Sequence, residues 1–247
     1  MRIVRIFILS ILNRLPIKWK WYFFSLPFFN RKLRIDFLAT RRRLFSNTSK
    51  LIIIGGNDGL SFDNLFQSLD PNLVSGVVIE PSKKYFSLLQ KNLKDFKKIE
   101  FLNLAITNSE ENFSLYQLND QGLKKLPDWG KGLGSLSKEN LLKFDEITEG
   151  DIEEEIVKGL TFDRIINDQS LFNVDYLQID TEGFDGEIIG MIDFDSFKPQ
   201  LLKFEWVNLS PTEINDCKEK LIQYNFYVSE IGGDMVGYSR NINPIFS

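Results

Sequence analysis

Three short stretches carry residue types that could do chemistry together. Leu51-Ile52-Ile53-Ile54 runs into Gly55-Gly56-Asn57-Asp58-Gly59, Gly76-Val77-Val78-Ile79 ends in Glu80, and Asp175-Tyr176-Leu177-Gln178-Ile179 ends in Asp180-Thr181-Glu182-Gly183. An apolar, β-branched run that breaks into glycines reads as a buried strand closing in a tight turn, where a ligand can approach bare backbone. Glu80 lies twenty-one residues beyond Gly59. An acid there is placed to accept two hydrogen bonds from a ribose diol; the plainer reading is a surface carboxylate. The chain has no histidine and a single cysteine, Cys217. That excludes imidazole triads, histidine metal ligands, Cys-rich zinc sites and internal disulfides. Any general base must be a carboxylate, Tyr, Lys or a water held by them. The glycine run departs from the G-x-G-x-x-G dinucleotide fingerprint, because Asn57 stands where the second glycine belongs.

The elements that must position these residues alternate as strand and helix from residue 50, the mark of a parallel α/β sheet. A helix is expected from about Ser61, with Phe62, Leu65, Phe66 and Leu69 at helical spacing. Pro81-Ser82 opens a second, with Tyr85, Leu88, Leu89 and Leu93 as its apolar face. Residues 99–106 read as a strand. Residues 117–150, polar and Gly-rich around Pro127, Trp129, Gly130, Gly132 and Gly134, read as a long loop or lid, with Trp129 and Ser135 as candidates to close over a substrate. Residues 151–169 read as helix interrupted at Gly159. Strands follow at 175–180 and 201–206. Ser210-Pro211-Thr212-Glu213 has the cap, first-turn proline and N3 acid of a helix start, running to about Tyr224. Residues 226–230 and 236–240 around Gly232-Gly233-Asp234 read as a hairpin. In such a sheet, ligands bind beyond the carboxyl ends of the strands, where strand order reverses.

The 247 residues suit one large domain, or one domain with an extension, and the 26% charged fraction is that of an ordinary globular protein. The net charge of −4 conceals an asymmetry. Residues 1–50 hold twelve Lys and Arg against the single acid Asp36, whereas the remainder carries 18 basic and 33 acidic residues. We therefore divide the chain into a basic extension, residues 1–48, and a body, residues 49–247. Residues 1–15 lack a signal peptide's uninterrupted apolar centre, and Arg5 and Arg14 leave too short a run to span a bilayer. Val4, Phe7, Ile8, Ile11 and Leu15 share a helical face opposite Arg2, Arg5 and Asn13. That face suits a membrane interface, the rest of the domain, or a partner chain. Trp19, Trp21, Tyr22, Phe23, Phe24, Phe28 and Phe29 beside Lys18 and Lys20 fit an interfacial belt or a hydrophobic cover equally well. Arg41-Arg42-Arg43 suits phosphate groups or, more plainly, a solvated helix end. The acidic body argues against nucleic acid, and the lone cysteine suits a reducing, cytoplasmic compartment.

Taken in order, the motifs resemble the FkbM-type family of S-adenosylmethionine-dependent methyltransferases. They are Ile54-Gly55-Gly56-Asn57-Asp58-Gly59, Val78-Ile79-Glu80-Pro81, Leu104-Ala105-Ile106, Gly134-Ser135-Leu136, Leu160-Thr161-Phe162-Asp163, Leu177-Gln178-Ile179-Asp180-Thr181-Glu182-Gly183-Phe184-Asp185 and Phe204-Glu205. The likeness spans roughly residues 50–240. Gly56 replaces the usual Ala, and Phe184 replaces the usual Tyr and so carries no hydroxyl. The resemblance implies a Rossmann-like class I methyltransferase sheet, mostly parallel with an antiparallel strand from the C-terminal hairpin and helices on both faces.

The resemblance also implies the roles. Gly55, Gly56, Asn57, Asp58 and Gly59 border the methionine part of S-adenosylmethionine, and the helix near Ser61 offers N–H groups to its carboxylate. Glu80 and Pro81 hold the ribose, Asn103 and Ala105 border the adenine, and Asp180 lies near cofactor and acceptor. Asp180 and Glu182 are the expected catalytic acids for O-methylation of a sugar, glycan precursor or other metabolite. Two apart on an extended strand they point to opposite faces, unless the turn at Thr181–Gly183 bends both inward. Asp163, Asp185 and Glu205 are second-rank candidates. A magnesium site of Asp180, Glu182 and Asp185 is a minority reading; no metal is expected. The rival readings are a nicotinamide oxidoreductase and an idle binding module worked by the basic arm.

Overall fold

The computed structural model describes residues 2–26, 34–61 and 64–247, with residues 2–5, 7 and 129 as backbone only. Its centre is a sheet built from β1 (Ser49–Ile54), β2 (Val74–Ile79), β3 (Ile99–Leu102), β8 (Tyr176–Ile179), β9 (Leu201–Glu205), β10 (Phe226–Ile231) and β11 (Asp234–Ser239). The order across it is β10-β11-β9-β8-β1-β2-β3. β3, β2, β1, β8 and β9 are parallel, and β11 inserts antiparallel between β9 and β10. The expected hairpin thus supplies the sheet's antiparallel strand. The order reverses at β1, which has β2 on one side and β8 on the other.

Alternation along the strands sends side chains into two cores. Ile52, Ile54, Val77, Ile79, Leu177, Ile179, Leu202 and Phe204 face one, covered by α6 (Phe162–Gln169), α7 (Asp185–Met191) and α8 (Pro211–Gln223). Leu51, Ile53, Val74, Val78, Tyr176, Leu201 and Val236 face the other, where Leu89 and Leu93 arrive from α4 (Lys83–Asn92) and its C-cap. Leu88, read as part of that helix's apolar face, is exposed. Ser210 and Glu213 form the expected reciprocal cap of α8.

The N-terminal segment covers part of the second core. It comprises α1 (Arg2–Arg14), α2 (Ile17–Ser25) and α3 (Phe37–Leu44). Leu12, Trp21 and Phe24 are buried. Phe24 stacks on Phe246 at 5.3 Å and meets Tyr227 edge-on at 4.9 Å. Lys20 Nζ donates to Asn243 Oδ1 and to the Pro244 carbonyl, and Asn13 exchanges two hydrogen bonds with Phe246. The buried face of α1 is therefore that of Leu9, Leu12 and Leu15, while Ile8 and Ile11 of the expected face point to solvent. The side chains of Val4 and Phe7, and Phe28 and Phe29, lie outside the described residues. Arg41 is no solvated helix end: it is 8% exposed, with its guanidinium 5.1 Å from the Phe37 ring.

Among the described residues, two expected helices differ from the reading. Residues 152–160 form β7 (Ile152–Leu160), which pairs antiparallel with β5 (Asn112–Leu118); only Phe162–Gln169 is helical. Four charged residues precede the apolar end of β7, and their period is masked because the strand faces solvent along much of its length. With β4 (Ala105–Ile106) and β6 (Gly134–Ser135) these strands form a second sheet, β4-β7-β5-β6, inserted between β3 and α6. The predicted strand 99–106 is consequently split between the two sheets. In place of the helix from Ser61, the described residues hold a turn at 58–61 and a short 3₁₀ turn, Phe66–Ser68. Phe62 lies outside the described residues.

Phe24→Ala removes a ring that joins α2 to the C-terminal segment, and core Phe→Ala changes cost about 3–5 kcal/mol. We expect a loss of that order in urea unfolding, with proteolysis between residues 14 and 26 accelerated.

Candidate active site

Strand register sets the site. Ile54 is level with Ile79 and Ile179, Ile79 with Leu102, and Ile179 with Phe204. The residues that follow, Asn103, Glu80, Gly55, Asp180 and Glu205, therefore stand in one row beyond five strand ends. Asp234, paired opposite Glu205 on β11, extends the row. Above it opens a cleft of ≈ 590 Å³ lined by Gly55–Gly59, Glu80, Pro81, Ala105, Asp180 and Glu182 among others. Of the predicted cofactor residues, Asn103 alone stays outside the lining. Its side-chain amide instead donates to the carbonyls of Glu80 and Pro81 at 2.9 and 2.8 Å.

The glycine loop is built differently from the expectation. Gly55 has φ +82°, and a Cβ there would lie 1.7 Å from the Asp180 carbonyl oxygen. Gly59 has φ +77°, and a Cβ there would lie 2.9 Å from the side chains of Leu89 in α4 and Leu93 at its C-cap. These glycines admit strand and helix neighbours as much as a ligand. The loop N–H groups are also satisfied internally. Gly55 and Gly56 donate to the Ile79 carbonyl, and Gly59 donates to Gly56. Leu60 and Ser61 donate to Asp58 Oδ1. With no α-helix opening at Ser61, the expected free N–H groups for an anion are absent among these residues. Burial alone would raise Asp58, but the Ser61 hydroxyl and these backbone bonds together hold it below its ordinary value, and it is the loop's internal anchor.

Glu80 is buried, not a surface carboxylate. Its two oxygens each accept one backbone hydrogen bond, from Asn57 N and Ser82 N, both at 2.8 Å. Burial pushes it up to about 7, against those two bonds and with repulsion from Glu155 adding to the rise. Ser82 lines the cleft, and its buried hydroxyl has no hydrogen-bond partner among the described residues.

At the other end of the row the acids converge. Glu182 adopts φ +55° and Gly183 φ +110°, a left-handed turn that brings both Asp180 and Glu182 to the cleft wall instead of to opposite faces. Asp185 holds this turn from below, accepting from Thr181 N, Thr181 Oγ1 and Glu205 N; it is a buried structural anchor. Asp163, on the first turn of α6, is exposed and away from the cleft. Burial first, then Glu205 and Asp185, push Asp180 up to about 8 against the attraction of Lys203. Burial, then Glu205, Asp180 and Asp185, push Glu182 up to about 8. These groups face one another, so their protons belong to the cluster. Among the described residues no three acids form a metal-binding group.

Ser135, a candidate from the sequence, does reach this end; Asn208, Lys203, Asn140 and Gln117 were not foreseen. Asn208 Nδ2 donates to both Glu182 Oε2, at 3.2 Å, and Glu205 Oε2, at 3.0 Å. Lys203 pairs with Asp234 at 3.1 Å and lines the cleft. A lysine inside Leu201-Leu202-Lys203-Phe204-Glu205 was a legible signal, since it shares a face with Glu205 at period two. Asn140, from α5 (Lys138–Leu141), donates to the Glu182 carbonyl at 3.2 Å, as does Ser135 Oγ at 3.3 Å. The second sheet thus grips the turn that carries Glu182, and Gln117 of β5 adds to the cleft wall. Nothing in the local sequence links residues 135–140 to residue 182. The Trp129 side chain lies outside those described.

A sheet of this order, mostly parallel with one inserted antiparallel strand, is a Rossmann-like α/β sheet of the class I methyltransferase type, here with an acid beyond β2 and an acid row beyond β8 and β9. A family profile described as the methyltransferase FkbM domain matches residues 54–228, and the chain belongs to that family. It is accordingly an S-adenosylmethionine-dependent methyltransferase, which sets aside both the nicotinamide oxidoreductase and the idle module. No curated protein sequence matches it. Among solved structures, it is similar to an FkbM methyltransferase from Methylobacillus flagellatus at 14% identity and TM-score 0.49, covering 87% of this chain and 47% of that one. It is also similar to an O-methyltransferase from Bacillus cereus in complex with SAH, at 11% identity and TM-score 0.44, covering 83% of each chain. A precorrin-6y C5,15-methyltransferase from Geobacter metallireducens matches at 13% identity and TM-score 0.39, covering 81% of this chain and 85% of that one.

The acid cluster makes stability depend on pH. Well below pH 4, Asp180 and Glu182 are protonated in the folded and unfolded chains alike. From there to about pH 8 only the unfolded chain has ionised, so their contribution falls as pH rises through that window. Glu182→Gln or Asp180→Asn should therefore raise the melting temperature over wild type, least near pH 5 and most near pH 8.5. A gain of about 1 kcal/mol corresponds to ~2–4 °C in a chain of this size. Scanning fluorimetry across that range measures it.

Proposed function

We propose that the protein methylates a hydroxyl oxygen of a sugar, a glycan precursor or another small hydroxylated metabolite in the cytoplasm. The observation that carries this reading is the Asp180–Glu182–Glu205 cluster on one cleft wall, in a chain without histidine. A hydroxyl acceptor has to lose its proton as it is methylated. Asp180 and Glu182, raised to about 8 by burial and by repulsion from neighbouring acids, are tuned for that near neutral pH.

The cleft suits S-adenosylmethionine, which supplies an electrophilic methyl group when bound. Glu80 keeps a free lone pair on each oxygen for a ribose diol, and the orphaned Ser82 hydroxyl beside it is a polar group awaiting a partner. Leu104, Ala105 and Ile106 make an apolar wall fit for a base. Gly55 to Gly59 give shape to the methionine end but few donors, so Asn57 Nδ2, 3.5 Å from the Lys131 carbonyl while its Oδ1 accepts from Asp58 N at 2.7 Å, is the donor that remains for a carboxylate. Asp180 borders both cofactor and acceptor. Glu182 is the base: Asn208 orients its carboxylate, and Ser135 and Asn140 fix its backbone. A carboxylate beside the sulfur stabilises the reactant cation more than the charge-dispersed transition state, so the useful base sits at the acceptor. The cleft's acidic end favours a neutral polyol over an anionic acceptor. A lipid-linked acceptor is compatible with the basic arm.

The test is a labelled-methyl screen against cell-extract fractions sorted into lipid, glycan and small molecule, followed by kinetics on the acceptor found. We expect Glu182→Gln to lower kcat by about 10²–10⁴ with cofactor affinity unchanged. Glu80→Ala should weaken S-adenosylmethionine binding by calorimetry. Full activity in both Glu182→Gln and Asp180→Asn would sink the assignment of the base. Labelling confined to a carbon or nitrogen acceptor would sink O-methylation.

A further inference from the structure

The outer side of α2 combines features that neither the fold nor the cleft uses. Trp19 and Tyr22, three apart on the helix, are 52% and 53% exposed, and their rings meet edge-on at 5.7 Å. The opposite side, through Lys20, Trp21 and Phe24, is buried, so α2 is seated with its remaining aromatics outward. Tyr22 borders a shallow depression shared with Lys18, Trp21, Ser25, Asn225 and Arg240. Arg240 is held there with its guanidinium 4.7 Å from the Trp21 ring and 5.9 Å from that of Tyr227. No carboxylate pairs with Lys18 or Arg240 among the described residues. On the preceding helix Ile6, Ile8 and Ile11 are 59%, 39% and 47% exposed.

We propose that this surface docks the enzyme on an anionic membrane, with Trp19 and Tyr22 at the headgroup level and a lipid phosphate in the Lys18–Arg240 depression. Charge favours this occupant. Residues 1–50 carry an excess of eleven positive charges, and the rest of the chain an excess of fifteen negative ones. An anionic surface attracts the arm and repels the body, which orients the molecule arm-first. Aromatic rings beside cations are the residue pair that settles at a bilayer interface. The attachment proposed is peripheral; no helix among the described residues is long and apolar enough to cross a membrane. A second copy fits less well. A basic arm on the acidic body of another copy is a head-to-tail contact, which forms open chains unless a rotation closes it.

The experiment is co-sedimentation of the full chain with vesicles of phosphatidylcholine alone or with 30% phosphatidylglycerol, ~30% being a composition at which surface charge attracts polybasic segments strongly. Binding to the anionic vesicles only, weakened by added salt, is expected. Trp19→Ala with Tyr22→Ala, and separately Lys18→Glu, should each reduce that partitioning on the order of tenfold. Their side chains are exposed, so melting temperature and S-adenosylmethionine binding should stay at wild-type values, which separates a lost surface from a lost fold. Absence of binding to anionic vesicles, equal binding to both compositions, or full binding by the variants overturns the proposal. So does concentration-dependent self-association in sedimentation velocity that the Trp19 and Tyr22 changes abolish.

Discussion

The closest contact on which the site depends is between two backbones. The end of β1 passes the end of β8 so tightly that a single methyl group on Gly55 would overlap the carbonyl of Asp180. Parallel strands in level register bring this about, because Ile54 and Ile179 are partners and the residues after them must share one row. The loop that would border the methionine and the acid that would border the acceptor are thereby fixed within one strand spacing of each other. Positioning of that kind is the larger part of what a bimolecular transfer requires from a protein.

Everything else at the cleft braces this row. Glu80 takes the N–H groups of Asn57 and Ser82, so the acid beyond β2 and the glycine loop beyond β1 hold each other. Asp185 takes Thr181 and Glu205, which locks β8 to β9 and frees Asp180 and Glu182 to face inward. The inserted sheet closes the structure from above by seizing the Glu182 carbonyl with Ser135 and Asn140. A strained, left-handed Glu182 is held by partners on both sides, as expected of a residue whose side chain has to stay aimed. The cost is electrostatic: several acids share one partly desolvated wall with Lys203 as their cation, and their affinity for protons rises accordingly.

The arm divides its labour by face. Leu12, Trp21, Phe24 and the buried Lys20 tie it to the sheet and to residues 242–246, so it is part of the fold's second layer. The same helices leave aromatics and aliphatics outward. Packing on the domain accounts for one side of α2 and leaves Trp19 and Tyr22 on the other side exposed.

The sequence by itself determined the parallel core, the position of Glu80 after β2, the acids after β8, the cap of α8 and the final hairpin, because buried strands, caps and tight turns are specified by neighbouring residues. It also excluded imidazole chemistry outright. Tertiary structure decided the rest. Solvent-facing β7 carried no readable period, and its pairing with β5 exists only through contacts between distant residues. The region after Ser61 had helical spacing, but Asp58 consumed the N–H groups that a helix start would have offered. Whether Asp180 and Glu182 faced one cleft or two sides of a sheet depended on a left-handed turn held by Asn140 and Ser135, some forty residues away. Local sequence encodes which groups are present; which of them meet is set by strand register and by long-range hydrogen bonds that no short window contains.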